Sequence, residues 1–147
     1  MKRIDTFEYV SALKKLVEEG HEVSMIISGS SMAPFLCHER DSIFFKAPDR
    51  ELKTGDIVFY QRSSGQYVVH RICKVKNGAY YIVGDAQTSI EGPVERAQIF
   101  AVVTKVVRNG VTLKPGDYWW DFFAHVWIRI IPFRPLTVKL YSLIKRT

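Results

Sequence analysis

The sequence predicts a mainly β domain, a curled antiparallel sheet or barrel, with one helix before it and a helical tail after it. Three observations carry this. Short runs rich in Val, Ile, Phe and Tyr recur through residues 23–115. They are separated by breaks rich in Gly, Asn, Asp and Ser, the composition of tight turns. The stretches on either side have a different texture. A chain of 147 residues, 47% apolar and 24% charged, is long enough for one domain, residues 1–147, with a substantial core.

The first element is a helix within residues 1–20. Ile4, Phe7, Val10, Leu13, Leu16 and Val17 recur at helical spacing with Lys and Glu between them, and Gly20 stands where a helix would end. The pattern predicts an amphipathic helix on the edge of the domain, too short for a helix-turn-helix module. The strands follow as "VSMIIS", "SIFFKA", "DIVFYQR", "QYVVHRICKV", "AYYIVG" and "IFAVVTKVVRNGVTLK". "LKTGD", "SSG", "KNG" and "GD" are the turns between them. The tail, residues 117–147, gathers all three tryptophans among basic residues. Asp121, His125 and Arg129 interrupt its apolar run, and Pro132 and Pro135 divide it into two short helical pieces.

Composition narrows the function classes. The net charge of +6 fits either anionic partners or simple solubility. Cys37 and Cys73 form no disulfide framework and have no metal-ligand spacing, so both read as buried thiols. No metal and no cofactor is expected. The start, "MKRIDTFEYV", lacks the apolar core of a secretory signal. No stretch reaches the roughly 20 apolar residues that cross a bilayer. The expected location is the cytoplasm, with the membrane surface as a second site. No zinc, KH or RNP signature is present, and nucleic acid is not expected as a partner.

Chemistry concentrates in "SGSSMAPFL", residues 28–36. A serine hydroxyl is a poor nucleophile until a base takes its proton. Of the four histidines, His21 is too near in sequence to fold back easily, His38 lies in a turn and His125 in the aromatic tail. His70 ends the apolar run "YVVH", where an imidazole needs a hydrogen-bond partner or water. Alone it reads as a structural histidine. Two strands after Ser31, however, a hairpin can bring it to the hydroxyl.

"GSSMAPFL", "LKTGDIVFY", "YVVHRI" and "YYIVGDAQ", in that order, resemble the boxes of the serine peptidase superfamily of type I signal peptidases and self-cleaving SOS repressors. The resemblance spans about residues 23 to 106. It implies a signal-peptidase-like β fold. It puts the nucleophile on Ser31, directly before Met32 and three residues before Pro34, and Gly55 to Val58 on the second box. Most bacterial members have a lysine base. Val69-His70-Arg71 is similar to the version with histidine. Gly84 and Asp85 match the Gly-Asp box, and six residues further stands Glu91, where relatives carry a second acid. Either carboxylate would orient the imidazole and stabilise its charged form, the third role of a triad. Two features depart from the family. Gly29 stands where many bacterial members carry a serine that helps hold the oxyanion, which leaves the Ser31 N–H and the Ser30 hydroxyl. No stretch of the sequence matches the membrane anchor of signal peptidases, so none is expected.

The expected activity is therefore a serine endopeptidase acting in trans on a peptide or leader-like segment, with Ser30, Met32 and Pro34 around the oxyanion and substrate. Self-cleavage is not expected, since the chain has no Ala-Gly bond. The competing expectation is a non-catalytic β module that binds anionic membrane surfaces or a partner protein. Trp119, Trp120, Phe122, Phe123, Trp127, Ile130 and Ile131, interleaved with Arg129, Arg134, Lys139, Lys145 and Arg146, suit a membrane interface. They equally suit a tail folded back onto a sheet edge.

Overall fold

The computed structural model describes residues 6–133. Ile4, Arg134, Pro135, Lys139, Lys145 and Arg146, and with them the second helical piece of the tail, lie outside the described residues, as does the side chain of Ile131. The architecture is mainly β. Helix α1 (Thr6–Glu18) is followed by β1 (Val23–Ile26), β2 (Ser42–Lys46), β3 (Ile57–Gln61), β4 (Tyr67–Lys76), β5 (Ala79–Val83), β6 (Glu91–Val94), β7 (Ile99–Arg108) and β8 (Val111–Leu113). A short helix α2 (Tyr118–Asp121) then runs through a π-helical turn (Phe122–Val126) into a 3₁₀ stretch (Trp127–Phe133). The eight strands make one antiparallel sheet in the order β1-β2-β7-β3-β4-β5-β6, with β8 beside β7, and the sheet does not close into a barrel.

Alternation along the strands divides the core in two. On β3, Ile57 and Phe59 enter one cluster while Val58 and Tyr60 enter the other, as period-two side chains must. The first cluster lies under α1 and the tail and contains Val10, Val17, Phe35, Phe45, Phe123 and Trp127. The helix presents Val10 and Val17 inward and leaves Phe7 and Leu16 exposed, so the apolar stripe is narrower than its spacing implied. Residues 99–114 form the hairpin β7–β8, turning at Asn109 and Gly110 with positive φ at both, the demand of a two-residue hairpin. Strand β6 was not anticipated from "EGPV", because its glycine and proline argue against a strand.

Two free sheet edges matter for the site. Among the described residues β1 pairs only with β2. β4 pairs with β3 over Tyr67–Arg71 but with β5 only from Arg71 onward. The segment Tyr67–His70 therefore has one side unpaired within the sheet.

The tail resolves as core on one face. Trp120, Phe123, Ala124, Trp127 and Ile128 are buried, while Tyr118, Trp119 and Val126 are exposed. The fit is close. A Cβ on Gly55, at φ +98°, would stand 2.8 Å from the Ala124 carbonyl oxygen. Among the described residues no helix is long and apolar enough to cross a membrane. Cys37 and Cys73 are free thiols and only half-buried, where the sequence led us to expect full burial.

Candidate active site

Ser31 sits in the turn between β1 and β2, and His70 in the middle of β4 opposite Val58. Across 39 residues of chain the two side chains meet: His70 Nε2 lies 3.1 Å from Ser31 Oγ. The hydroxyl is half-buried and the imidazole is 6% exposed. Among the described residues no charged group hydrogen-bonds to His70, which favours its neutral form. Burial, then the nearby Arg62 guanidinium, push its pKa down from 6.5 to about 4, against a smaller upward pull from Glu91 and Asp85. An unshifted histidine would titrate near pH 6.5. Burial is what moves it.

The turn that carries Ser31 is braced from both sides. Ala86 N–H donates to the Ser31 carbonyl at 2.9 Å. Gly84 packs so tightly there that a Cβ would stand 2.5 Å from the same oxygen. On the far side the Arg108 guanidinium donates to the Phe35 and Pro34 carbonyls at 2.7 and 3.2 Å. Met32 is buried in the first core cluster. Ser30 is exposed, and its carbonyl accepts from Ala33 N–H.

The two carboxylates expected beside His70 are engaged elsewhere. Asp85 is fully buried and takes a two-pronged bond from Arg71, Nε to Oδ1 and Nη2 to Oδ2, both 2.9 Å. Arg71, also fully buried, gives a further bond to the Gly55 carbonyl and lies over the Phe35 ring. The Trp127 indole N–H donates to the Asp85 carbonyl at 2.7 Å. Asp85 is thus a structural anchor linking β4, the Ser31 turn and the tail. Glu91 is bound by Arg62 at 2.6 to 3.1 Å, and that pairing holds its carboxyl below the usual range. Neither acid hydrogen-bonds to His70. The structure brings together the pair Ser31 and His70, and no triad.

A groove of about 460 Å³ runs past the pair. It is lined by residues of the free edge of β4, by β1 with residues 27–29, by Met32 and Phe59, and by Tyr9 and Val10 of α1. A second hollow beyond His70 is lined by Arg62, Gln87 and Glu91. Arg62, Gln66 and Gln87 at the groove were not singled out by the sequence. A polar residue in a turn carries no mark of the site it borders. Among the described residues no cluster of His, Cys, Asp and Glu side chains could hold a metal ion. Comparison of the chain with protein-family models, with curated proteins and with solved structures gave no match.

Proposed function

We propose that the protein is a serine peptidase that works through a Ser31–His70 dyad on an extended peptide, with a catalytic sheet of the signal-peptidase type. The observation that carries the reading is the 3.1 Å contact between Ser31 Oγ and a buried imidazole nitrogen. A neutral imidazole at that distance is placed to take the hydroxyl proton. Ser31 Oγ then attacks the carbonyl carbon, and the Ser31 N–H and Ser30 hydroxyl are the donors that would stabilise the developing oxyanion. His70 passes the proton to the leaving nitrogen as the C–N bond breaks. A water molecule, deprotonated by the same nitrogen, releases the acyl group from Ser31. Burial opposes the imidazolium form of His70, so the negative oxyanion beside it supplies the charge that makes its protonation affordable.

The groove supports a strand-like substrate. β1 and the Tyr67–His70 edge of β4 both leave backbone N–H and C=O groups unpaired within the sheet, and an extended peptide lying between them would complete the ladder. Its side chains would meet the apolar lining residues Met25, Ile27, Phe59 and Val69. A trans-acting enzyme cutting a leader-like segment fits this shape. Exposed Tyr118, Trp119 and Val126 add a peripheral contact with anionic lipid, a role for one face of the tail only.

The test is digestion of a denatured peptide library, with new termini identified by mass spectrometry. The parent protein should generate termini that Ser31→Ala does not. Identical patterns from the two would refute the reading and favour the non-catalytic module, for which anionic-vesicle sedimentation at low and high salt is the direct assay.

A further inference from the structure

The nucleophile turn is braced at Ser31 and beyond, but its approach, Ser28 to Ser30, is held differently. Among the described residues, the hydrogen bond tying Ser28 and Gly29 to the rest of the chain is Gly29 N–H to His38 Nδ1, at 2.6 Å. For Nδ1 to accept, the imidazole must be neutral with its proton on Nε2. Nε2 fits that tautomer, lying 3.2 Å from Glu39 Oε1.

His38 stands on a rigid post. Glu39 N–H donates to the Ile27 carbonyl, and Ile27 N–H donates to the Asp41 carbonyl, both at 2.8 Å. The fully buried Asp41 carboxylate accepts from Cys37 N–H, from Asn109 N–H and from Arg40. The turn bearing His38 is thus fastened to β1 and to the β7–β8 hairpin, while the imidazole itself is half-exposed. The groups around it are Glu39, Arg40 and Asp41 on its own turn. The facing segment, Ser28 to Ser31, has no side chain that titrates near neutral pH.

We propose that His38 is a positioning residue for the nucleophile: its neutral imidazole anchors Gly29, and its protonation turns Nδ1 into a donor, releases Gly29 and loosens the loop that aims Ser31 at His70. This rests on the Ser31–His70 reading. His70, with a pKa of about 4, stays neutral well above that value and does not compete for the effect.

The experiment combines labelling by a fluorophosphonate with amide NMR on the full chain, for the parent, His38→Asn and His38→Leu. The asparagine oxygen can occupy the position of Nδ1 and does not titrate. The parent should label about fivefold faster at pH 7.5 than at pH 5.5, the worth of one hydrogen bond. Its Gly29 amide proton should differ in chemical shift between the two pH values as the contact to His38 Nδ1 is made and lost. His38→Asn should abolish both changes, and His38→Leu should label slowly at both pH values. A Gly29 amide that does not titrate, or a pH ratio unchanged in His38→Asn, would overturn the proposal. Should no form label at any pH, the peptidase reading falls. The Gly29 amide then decides the His38 contact alone, sustaining it by titrating and refuting it by staying fixed.

Discussion

A neutral, buried His70 makes the protein acid-labile by a calculable amount. In the unfolded chain the imidazole binds its proton near pH 6.5, whereas in the folded state burial holds the pKa at about 4. Between those values the unfolded state carries a proton that the folded state refuses, so lowering the pH favours unfolding. The stability tied to this residue is complete above pH 6.5 and is lost as the pH falls toward 4. At pH 5 the loss amounts to about 2 kcal/mol, and below pH 4 it reaches about 3 kcal/mol. The perturbation is His70→Gln, which keeps a polar group at the position and removes the titration. Urea unfolding of parent and variant at pH 7.5 and pH 5.0 isolates the term, because carboxylates elsewhere contribute to both proteins alike. The parent should lose about 2 kcal/mol more than the variant between the two pH values. Equal losses would mean that His70 is not held neutral by burial, and the reasoning about a ready base would fail with it.

Three further outcomes follow from the packing around the pair. Gly84→Ala places a methyl 2.5 Å from the Ser31 carbonyl oxygen; it should cost about 2 kcal/mol in urea unfolding and slow labelling of Ser31, and an unaffected variant would disprove the close packing. Arg71→Met leaves the fully buried Asp85 carboxylate without its partner and should cost about 3 to 5 kcal/mol, while adding Asp85→Asn should recover part of the loss. Arg62→Gln removes the cation that helps depress His70, so the His70 pKa followed by NMR should rise, and a fall would contradict the assigned electrostatics.

Much of the architecture was legible because strand-favouring runs and turn-favouring breaks differ sharply in composition. "YVVHRICKV" is rich in β-branched and aromatic residues and lies between turn signals, and β4 covers it; the other runs of Val, Ile and aromatic residues are marked in the same way. Contact between Ser31 and His70 was foreseeable from a nucleophile turn and a polar residue ending an apolar strand. The fate of the acids was not. Arg71 directly follows His70, and on a strand neighbouring side chains point to opposite faces. An acid bound by Arg71 is thereby drawn away from His70, and Asp85 is that acid. Glu91 faces the same kind of competition from Arg62, 29 residues away. Nothing in sequence order ranks an arginine above a histidine as the partner of a given carboxylate. The tail was open for a similar reason. Tryptophan suits a membrane interface and a core equally, and only the position of Gly55 and of the Asp85 carbonyl decides that Trp120, Phe123 and Trp127 turn inward.

The central claim is that Ser31 is a nucleophile activated by His70. The most direct measurement is covalent modification by a fluorophosphonate at pH 7.5, with the adduct mapped by mass spectrometry. A single adduct on Ser31 is predicted, absent in Ser31→Ala, at least a hundredfold slower in His70→Gln, still on Ser31 but slower in Ser30→Ala, and retained in Glu91→Gln. An adduct on Ser30, or a Ser31 adduct formed equally fast without His70, would contradict the account.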